Sequence, residues 1–323
     1  MGIYIFKRIL FMIPILIGIT LISFFVIHLA PGNPLTEQLG LNPKVSMSAR
    51  IQLAKLYGLN KPLLVQYIEW LKRIATFNFG LSFTANHEPV ITEIKRTIGI
   101  TIIINTLALI FIFIFSIPVG VLSAVKQNSL FDKISAVLVF IGFAAPSFWV
   151  ALLLIIFFGI DLRFLPVGGI TSVGYNSFPL WGKLIDIGKH LVMPVFVAGF
   201  GGVAGLSRYL RGNMLEVYRQ EYVMTARAKG LKEWVVIYKH VLKNALIPFI
   251  TILGLSVPGL IGGSVIIETI FDINGMGRLF YQSVLARDYP TIMGILVIGA
   301  ILTLIGNLMA DIAYALIDPR LRK

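Results

Sequence analysis

Cysteine is absent from the 323 residues. Disulfides, thiolate catalysis and cysteine metal sites are therefore excluded. Charge is scarce: 13% of residues are charged, against about 25% in an ordinary soluble domain. Acidic residues are scarcest, 15 against 28 lysines and arginines, for a net charge of +13. A phosphate-binding loop of the form G-x-x-x-x-G-K-[ST] is also missing, since Gly182-Lys183 runs into Leu184. The chain is not expected to hydrolyse ATP alone. No His-Glu-x-x-His pair occurs, and His28, His87, His190 and His240 lie far apart, which argues against a metal site.

What is present is apolar sequence, 57% of the chain. It falls into six uncharged stretches, at 9–27, 97–125, 134–160, 191–207, 244–267 and 290–310. A membrane-crossing helix needs roughly 20 mainly apolar residues. A soluble helical core would break such runs with charged faces. The expectation is an all-α, polytopic membrane protein of about six transmembrane helices. Lys7 and Arg8 before the first run imitate a secretory signal. The run is longer than the 7–15 residues of a cleavable core, and Pro31 follows Ala30, a poor cleavage context. It reads as the first membrane helix.

The basic residues lie mostly between the spans, which favours cytoplasmic retention and attraction to anionic lipid over nucleic-acid binding. With the N-terminus inside, the inner segments 1–8, 122–133, 208–245 and 315–323 carry 15 Lys and Arg residues, and the short outer loops 159–189 and 269–289 carry 5. Both termini are expected to be cytoplasmic. The chain then divides into an N-terminus and first helix at 1–30, an extracytoplasmic helical region at 31–96, and a five-helix core at 97–323 that includes the cytoplasmic loop 208–245. In the outer region, Pro31-Gly32-Asn33-Pro34 ends the first span. Ser46 or Ser48 can cap a helix reaching Tyr57, with Gly58 past its end. Pro62 can open a second helix, with Leu64, Tyr67, Ile68, Leu71 and Ile74 as its apolar face. That face suits the membrane surface or a partner, and equally the chain's own outer side.

Prolines 14, 118, 146, 194, 248 and 258 stand within or at the ends of the spans and favour kinks. Gly199, Gly201, Gly202 and Gly205, and Gly259, Gly262 and Gly263, are expected to permit close helix packing. Glu268 lies at the outer end of the fifth span and Asp311 near the inner end of the sixth. Ion-coupled transporters keep such groups deep in the membrane. Their scarcity points to energy supplied from elsewhere, or to a pathway lined by hydroxyls, amides and backbone.

The loop 208–245 reads as two helices, 213–229 and 232–244, separated by Gly230. Glycine just past a helix end accepts positive φ without strain. Trp234, Tyr238, Val241 and Ala245 recur at helical spacing. Ala226, Ala228 and Gly230 are small, with Arg227 and Lys229 between them. Such an element can enter a partner's groove or rest on anionic lipid.

The run Glu221-Tyr222-Val223-Met224-Thr225-Ala226-Arg227-Ala228-Lys229-Gly230-Leu231 resembles the "EAA" loop of ATP-binding-cassette importer permeases. Met224, Thr225 and Ala226 stand where the general loop has Glu-Ala-Ala, and Lys243 where sugar permeases have proline. Both departures match the dipeptide and oligopeptide (peptide/nickel) permeases, whose loop continues like His240-Val241-Leu242-Lys243-Asn244-Ala245 and Pro248. The resemblance extends to the segment from Tyr4 to Pro34, Pro146-Ser147-Phe148-Trp149, Leu165-Pro166 with Gly168-Gly169, and Glu268-Thr269-Ile270-Phe271 through Gly275-Met276-Gly277. Leu285-Ala286-Arg287-Asp288-Tyr289-Pro290 and Asp318-Pro319-Arg320 complete it. Asn274 departs from the usual proline. The pattern is similar to the first permease subunit of such systems.

The resemblance implies a type I importer permease (MetI-like) fold in a bacterial or archaeal cytoplasmic membrane. It implies a heterodimer with a second homologous permease, two cytoplasmic ATPases and an extracytoplasmic substrate-binding protein. No cofactor is expected on this chain; ATP and Mg²⁺ belong to the ATPases. Glu221, Tyr222, Thr225, Ala226, Arg227, Ala228, Lys229, Gly230 and Leu231 would form the ATPase-coupling loop. Arg227 and Lys229 would meet the rim of the ATPase groove. The cargo would be di- or oligopeptide, with nickel or glutathione as alternatives on the same scaffold. A stand-alone secondary transporter or channel would need a buried ionisable relay or inverted repeats. A membrane enzyme or scaffold would need convergent polar residues. Neither pattern is visible.

Overall fold

A computed structural model describes residues 2–29, 60–84 and 87–317. The expected helix from Ser46 or Ser48 to Tyr57, the Pro31–Pro34 turn and the Asp318-Pro319-Arg320 ending lie outside the described residues. The elements are α1 (Gly2–Leu29), α2 (Leu63–Ile74), α3 (Val90–Val125), α4 (Leu130–Ala144), α5 (Ser147–Asp161), α6 (Leu180–Tyr218), α7 (Glu221–Ala228), α8 (Glu233–Ala245), α9 (Ile247–Ser256), α10 (Val265–Ile270), α11 (Met276–Leu285) and α12 (Tyr289–Ile317). Among the described residues there are helices and one isolated antiparallel bridge, Leu81 to Pro89.

Among the described residues, four helices are each long and apolar enough to cross a bilayer, and two bent pairs raise the number to six. One pair is α4 and α5, bent by 104°. Pro146 explains the break: the residue before a proline is pushed out of the helical region, and Ala145 sits at φ −75, ψ 122. The other pair is α8 and α9, bent by 41°. The expected span 244–267 is therefore not one helix. It stops at Ser256, passes a 3₁₀ turn at Pro258–Leu260 and restarts at Val265. Pro258 lacks an N–H to continue the ladder, and Gly263 takes φ +64.

The chain forms two compact units. One comprises Met1–Thr101, Val257–Val265 and Asn274–Lys323; the other comprises Ile102–Ser256 and Ile266–Ile273. The last helix falls in the unit that contains the first.

In the first unit α1 packs along α12. Phe24, Tyr67, Trp70, Ile74, Val90, Ile94, Met276 and Met293 share one apolar core. Helix α2 lies against its own chain: the Tyr67 hydroxyl is 3.0 Å from Thr20 Oγ1, and its ring is 5.4 Å from that of Phe24. The buried face is Tyr67, Trp70 and Ile74, whereas Leu64 and Ile68 are exposed. The expected stripe was rotated, because Trp70 takes the place assigned to the two aliphatics. Asp288 is fully buried; its carboxylate accepts from the Ser82 and Thr291 hydroxyls and from the Thr291 amide. It caps α12 and ties the 81–89 turn to that helix. Asp311 pairs with Arg8 at 2.9 Å.

In the second unit α4 and α5 pack on α6. Of the glycines expected at close contacts, Gly199, Gly202 and Gly205 face Phe111, Ile112 and Phe143. Gly259 and Gly262 have nothing within 4 Å of an added Cβ among the described residues. Gly120 is a close contact that spacing did not reveal: a Cβ there would meet Ser207 O at 2.9 Å. The stretch between α5 and α6 is held by Asp186, which accepts from the Ser172 amide at 2.8 Å and its hydroxyl at 2.5 Å. Gly169 donates to Phe271 O at 2.8 Å.

Candidate functional site: the bend at 218–235

The long helix α6 ends at Tyr218, and Gln220 turns the chain through an extended conformation (φ −74, ψ 145). The Gln220 carbonyl accepts the first amides of α7, from Val223 at 3.0 Å and Met224 at 3.3 Å. Glu221 places a negative charge in the first turn, where the helix dipole favours it. The expected helix 213–229 is therefore two helices broken at Arg219 and Gln220.

The other end of α7 closes on glycine. Gly230 adopts φ +75. Its amide donates to Arg227 O at 2.8 Å, and the Leu231 amide donates to Ala226 O at 3.4 Å. This paired closure satisfies helix-end carbonyls and needs a left-handed residue at its centre. Lys232 then returns to extended backbone and α8 begins.

Burial seats the bend. Val223, Val236, Val241, Leu210 and Met214 are fully buried, with Ala226 and Ala245 nearly so, in one core that includes Val121 and Ala124 of α3. Burying one valine contributes ~1.5–3 kcal/mol, so this core dominates the energetics. A polar clasp sets the angle. Arg227 donates to Glu233 through Nη2 at 2.8 Å and Nε at 3.2 Å. The Tyr218 hydroxyl donates to the same carboxylate, and the Arg227 guanidinium lies 4.3 Å over the Tyr218 ring. Hydrogen bonding to Glu233 raises the Arg227 pKa above its ordinary value. The pair is half-exposed, and such pairs are worth ~1 kcal/mol or less. Glu233→Gln should accordingly lower the stability of the purified protein by under ~1 kcal/mol, read as a small shift in its thermal unfolding.

The nine residues expected to form the site occupy this one bend, but not alike. Glu221, Tyr222, Thr225, Ala228, Lys229, Gly230 and Leu231 are exposed. Ala226 faces inward, and Arg227 is bonded to Glu233. The stripe Trp234, Tyr238, Val241, Ala245 is also divided. Trp234 and Tyr238 are exposed, and the buried line is Val236, Ile237, Val241 and Ala245. A π-helical turn over Val236–Leu242 widens the helix there. Met224, which is not among the nine expected residues, is exposed on α7. The bend thus offers Tyr222, Met224, Leu231, Trp234 and Tyr238 outward beside Lys229 and Lys232. It carries shape and apolar contact, the means of docking a partner.

The fold is that of an all-α polytopic membrane protein. Residues 116–323 match the family model "Binding-protein-dependent transport system inner membrane component", and residues 1–92 match that family's N-terminal model. The chain is 44% identical to the oligopeptide transport system permease protein AppB of Bacillus subtilis, over 99% of each chain. It is 40% identical to the dipeptide transport system permease protein DppB of Alkalihalophilus pseudofirmus, over 99% of each. It is 33% identical to DppB of Escherichia coli, over 99% of this chain and 98% of that one. The chain belongs to the family of inner membrane components of binding-protein-dependent transport systems. It is the permease component of an ATP-binding-cassette importer, one part of a system with other subunits.

Proposed function

We propose that this permease passes di- or oligopeptides inward across the cytoplasmic membrane by alternating access, paired with a second, homologous permease. Relatives named as oligopeptide and dipeptide permeases along the whole chain support the cargo. A binding protein delivers peptide at the outer face, where 31–96 contributes a helical region. Two ATPases supply the energy, holding the ATP and Mg²⁺; this chain holds neither. Both termini face the cytoplasm, and 97–323 supplies the remaining membrane helices.

Coupling runs through Glu221, Tyr222, Thr225, Ala226, Arg227, Ala228, Lys229, Gly230 and Leu231. The observation that carries this reading is the bend itself: a short helix seated on buried Val223 and Ala226, closed by Gly230, with its remaining residues outward. Nucleotide on the ATPases must bind one permease state more tightly than the other to move it. A rigid, docked element transmits that difference where a loose loop would not. Ala226 acts from within as a small seat residue, and Arg227 as half of the clasp.

The cysteine-free sequence makes the test direct. Lys229→Cys should react with a membrane-impermeant maleimide in inside-out vesicles and be shielded when the ATPases are bound. Val173→Cys, on the exposed outer loop, should react in whole cells. Labelling of Lys229→Cys from outside, or identical labelling with and without ATPases, would refute the assignment.

A further inference from the structure

We propose that Asp132 and Arg211 are positioning residues that carry movement of the 218–235 bend into the third membrane span. The proposal rests on the coupling role just assigned to that bend.

Asp132 lies in the first turn of α4 and is buried. Its carboxylate receives a two-pronged bond from Arg211 on α6, Nε to Oδ1 and Nη2 to Oδ2, both 2.7 Å. Paired N–H donation of this kind fixes geometry as well as charge. Oδ2 also accepts the Asn128 amide at 2.9 Å, where Asn128 turns the chain at φ +64. Ser129 Oγ accepts the Asp132 amide at 3.3 Å. The Ser135 hydroxyl donates to Asp132 O at 2.9 Å, which leaves it to accept from Ser123 of α3, also at 2.9 Å. Asp132 is thus fixed to the α3–α4 turn and to α6 together.

Arg211 occupies a particular place on α6. Leu210 beside it and Met214 one turn on are fully buried in the core that holds Val223 and Ala226 of α7. The stretch of α6 that seats the bend is the stretch that grips Asp132. Farther along, α4 and α6 meet through apolar contacts: a Cβ on Gly142 would meet Ala204 Cβ at 2.9 Å, and one on Gly205 would meet the Phe143 ring at 3.3 Å. Such surfaces let one helix slide along the other, and a two-pronged ion pair does not. A buried ion pair is poor evidence of net stabilisation, since apolar replacements are often as stable; a register role suits it better. When α7 moves with an ATPase, α6 moves under it, and the pair draws α4 along.

The test uses the assembled importer in proteoliposomes, reading ATP hydrolysis and labelled-peptide uptake together. Asp132→Asn, and Arg211→Lys, which keeps the charge but loses the fork, should both assemble and hydrolyse ATP. Peptide moved per ATP should fall about tenfold, the scale on which coupling contacts act. Exchanging the pair, Asp132→Arg with Arg211→Asp, should recover part of the ratio. An unchanged ratio in either assembled variant overturns the proposal. So does loss of assembly in both single variants, which would make the pair a folding latch. Failure of the underlying coupling role would appear differently, as uptake by the unsubstituted permeases without ATPases.

Discussion

Replacing Gly230 with valine is expected to abolish ATP-driven uptake while the chain still inserts in the membrane. The reason is conformational rather than steric, because nothing lies within 4 Å of a Cβ added there and the residue sits at φ +75. A β-branched side chain is a severe outlier at positive φ, and the left-handed conformation costs an ordinary residue roughly 1–2 kcal/mol. Relief would unwind the closure of α7 and move Leu231 and Lys229 away from their present places. The ATPases would then fail to co-purify, or would hydrolyse ATP without uptake. Gly230→Asn is the matched control, since asparagine tolerates the left-handed region; it should retain most uptake. Normal uptake in the valine variant would show that this closure does not matter.

The second large effect is expected at Gly277, in the first turn of α11. A Cβ there would lie 2.6 Å from the Val265 amide nitrogen and 2.7 Å from the Ser264 carbonyl carbon. Both are backbone atoms, so no side chain can swing aside. Overpacking commonly costs 1–3 kcal/mol, and with backbone on the other side Gly277→Ala should reach about 3 kcal/mol or beyond. The outcome would be loss of folded protein on size-exclusion chromatography. Gly188→Ala on α6, where nothing lies within 4 Å, should be neutral or stabilise the protein by a few tenths of a kcal/mol. Equal behaviour of the two variants would contradict the packing account.

The membrane class was readable because solvation by lipid acts on single residues. A charge-free run of twenty needs no tertiary information to be recognised. The turn at Gly230 was readable for a similar reason: its φ is a local demand. Properties set by distant partners were not. The Arg227–Glu233 bond was not foreseen, because Glu233, six residues on and across a turn, carries no sign of being its partner. Asp132 and Arg211 lie 79 residues apart and fit no spacing rule. The π-turns at Ile155–Asp161 and Val236–Leu242 shift helical register by a residue, which a fixed 3.6 period cannot anticipate. Hence the 234–245 stripe was divided; the face of α2 was rotated for another reason, the burial of Trp70. Pro146 was marked as a kink, but not the 104° between the helices flanking it. Asp288 belonged to a recognisable string, and its work of capping α12 and holding Ser82 became visible only in three dimensions.

The central claim is that a permease without its own engine is moved by a partner that grips 221–231. The most direct measurement is labelled-peptide uptake into proteoliposomes containing this chain and its second permease, with and without the ATPase subunits and ATP. Uptake only when ATPases and hydrolysable ATP are both present, and lost in the Gly230→Val permease, is the result this account predicts. Uptake by the permease chains alone, without nucleotide, would contradict it.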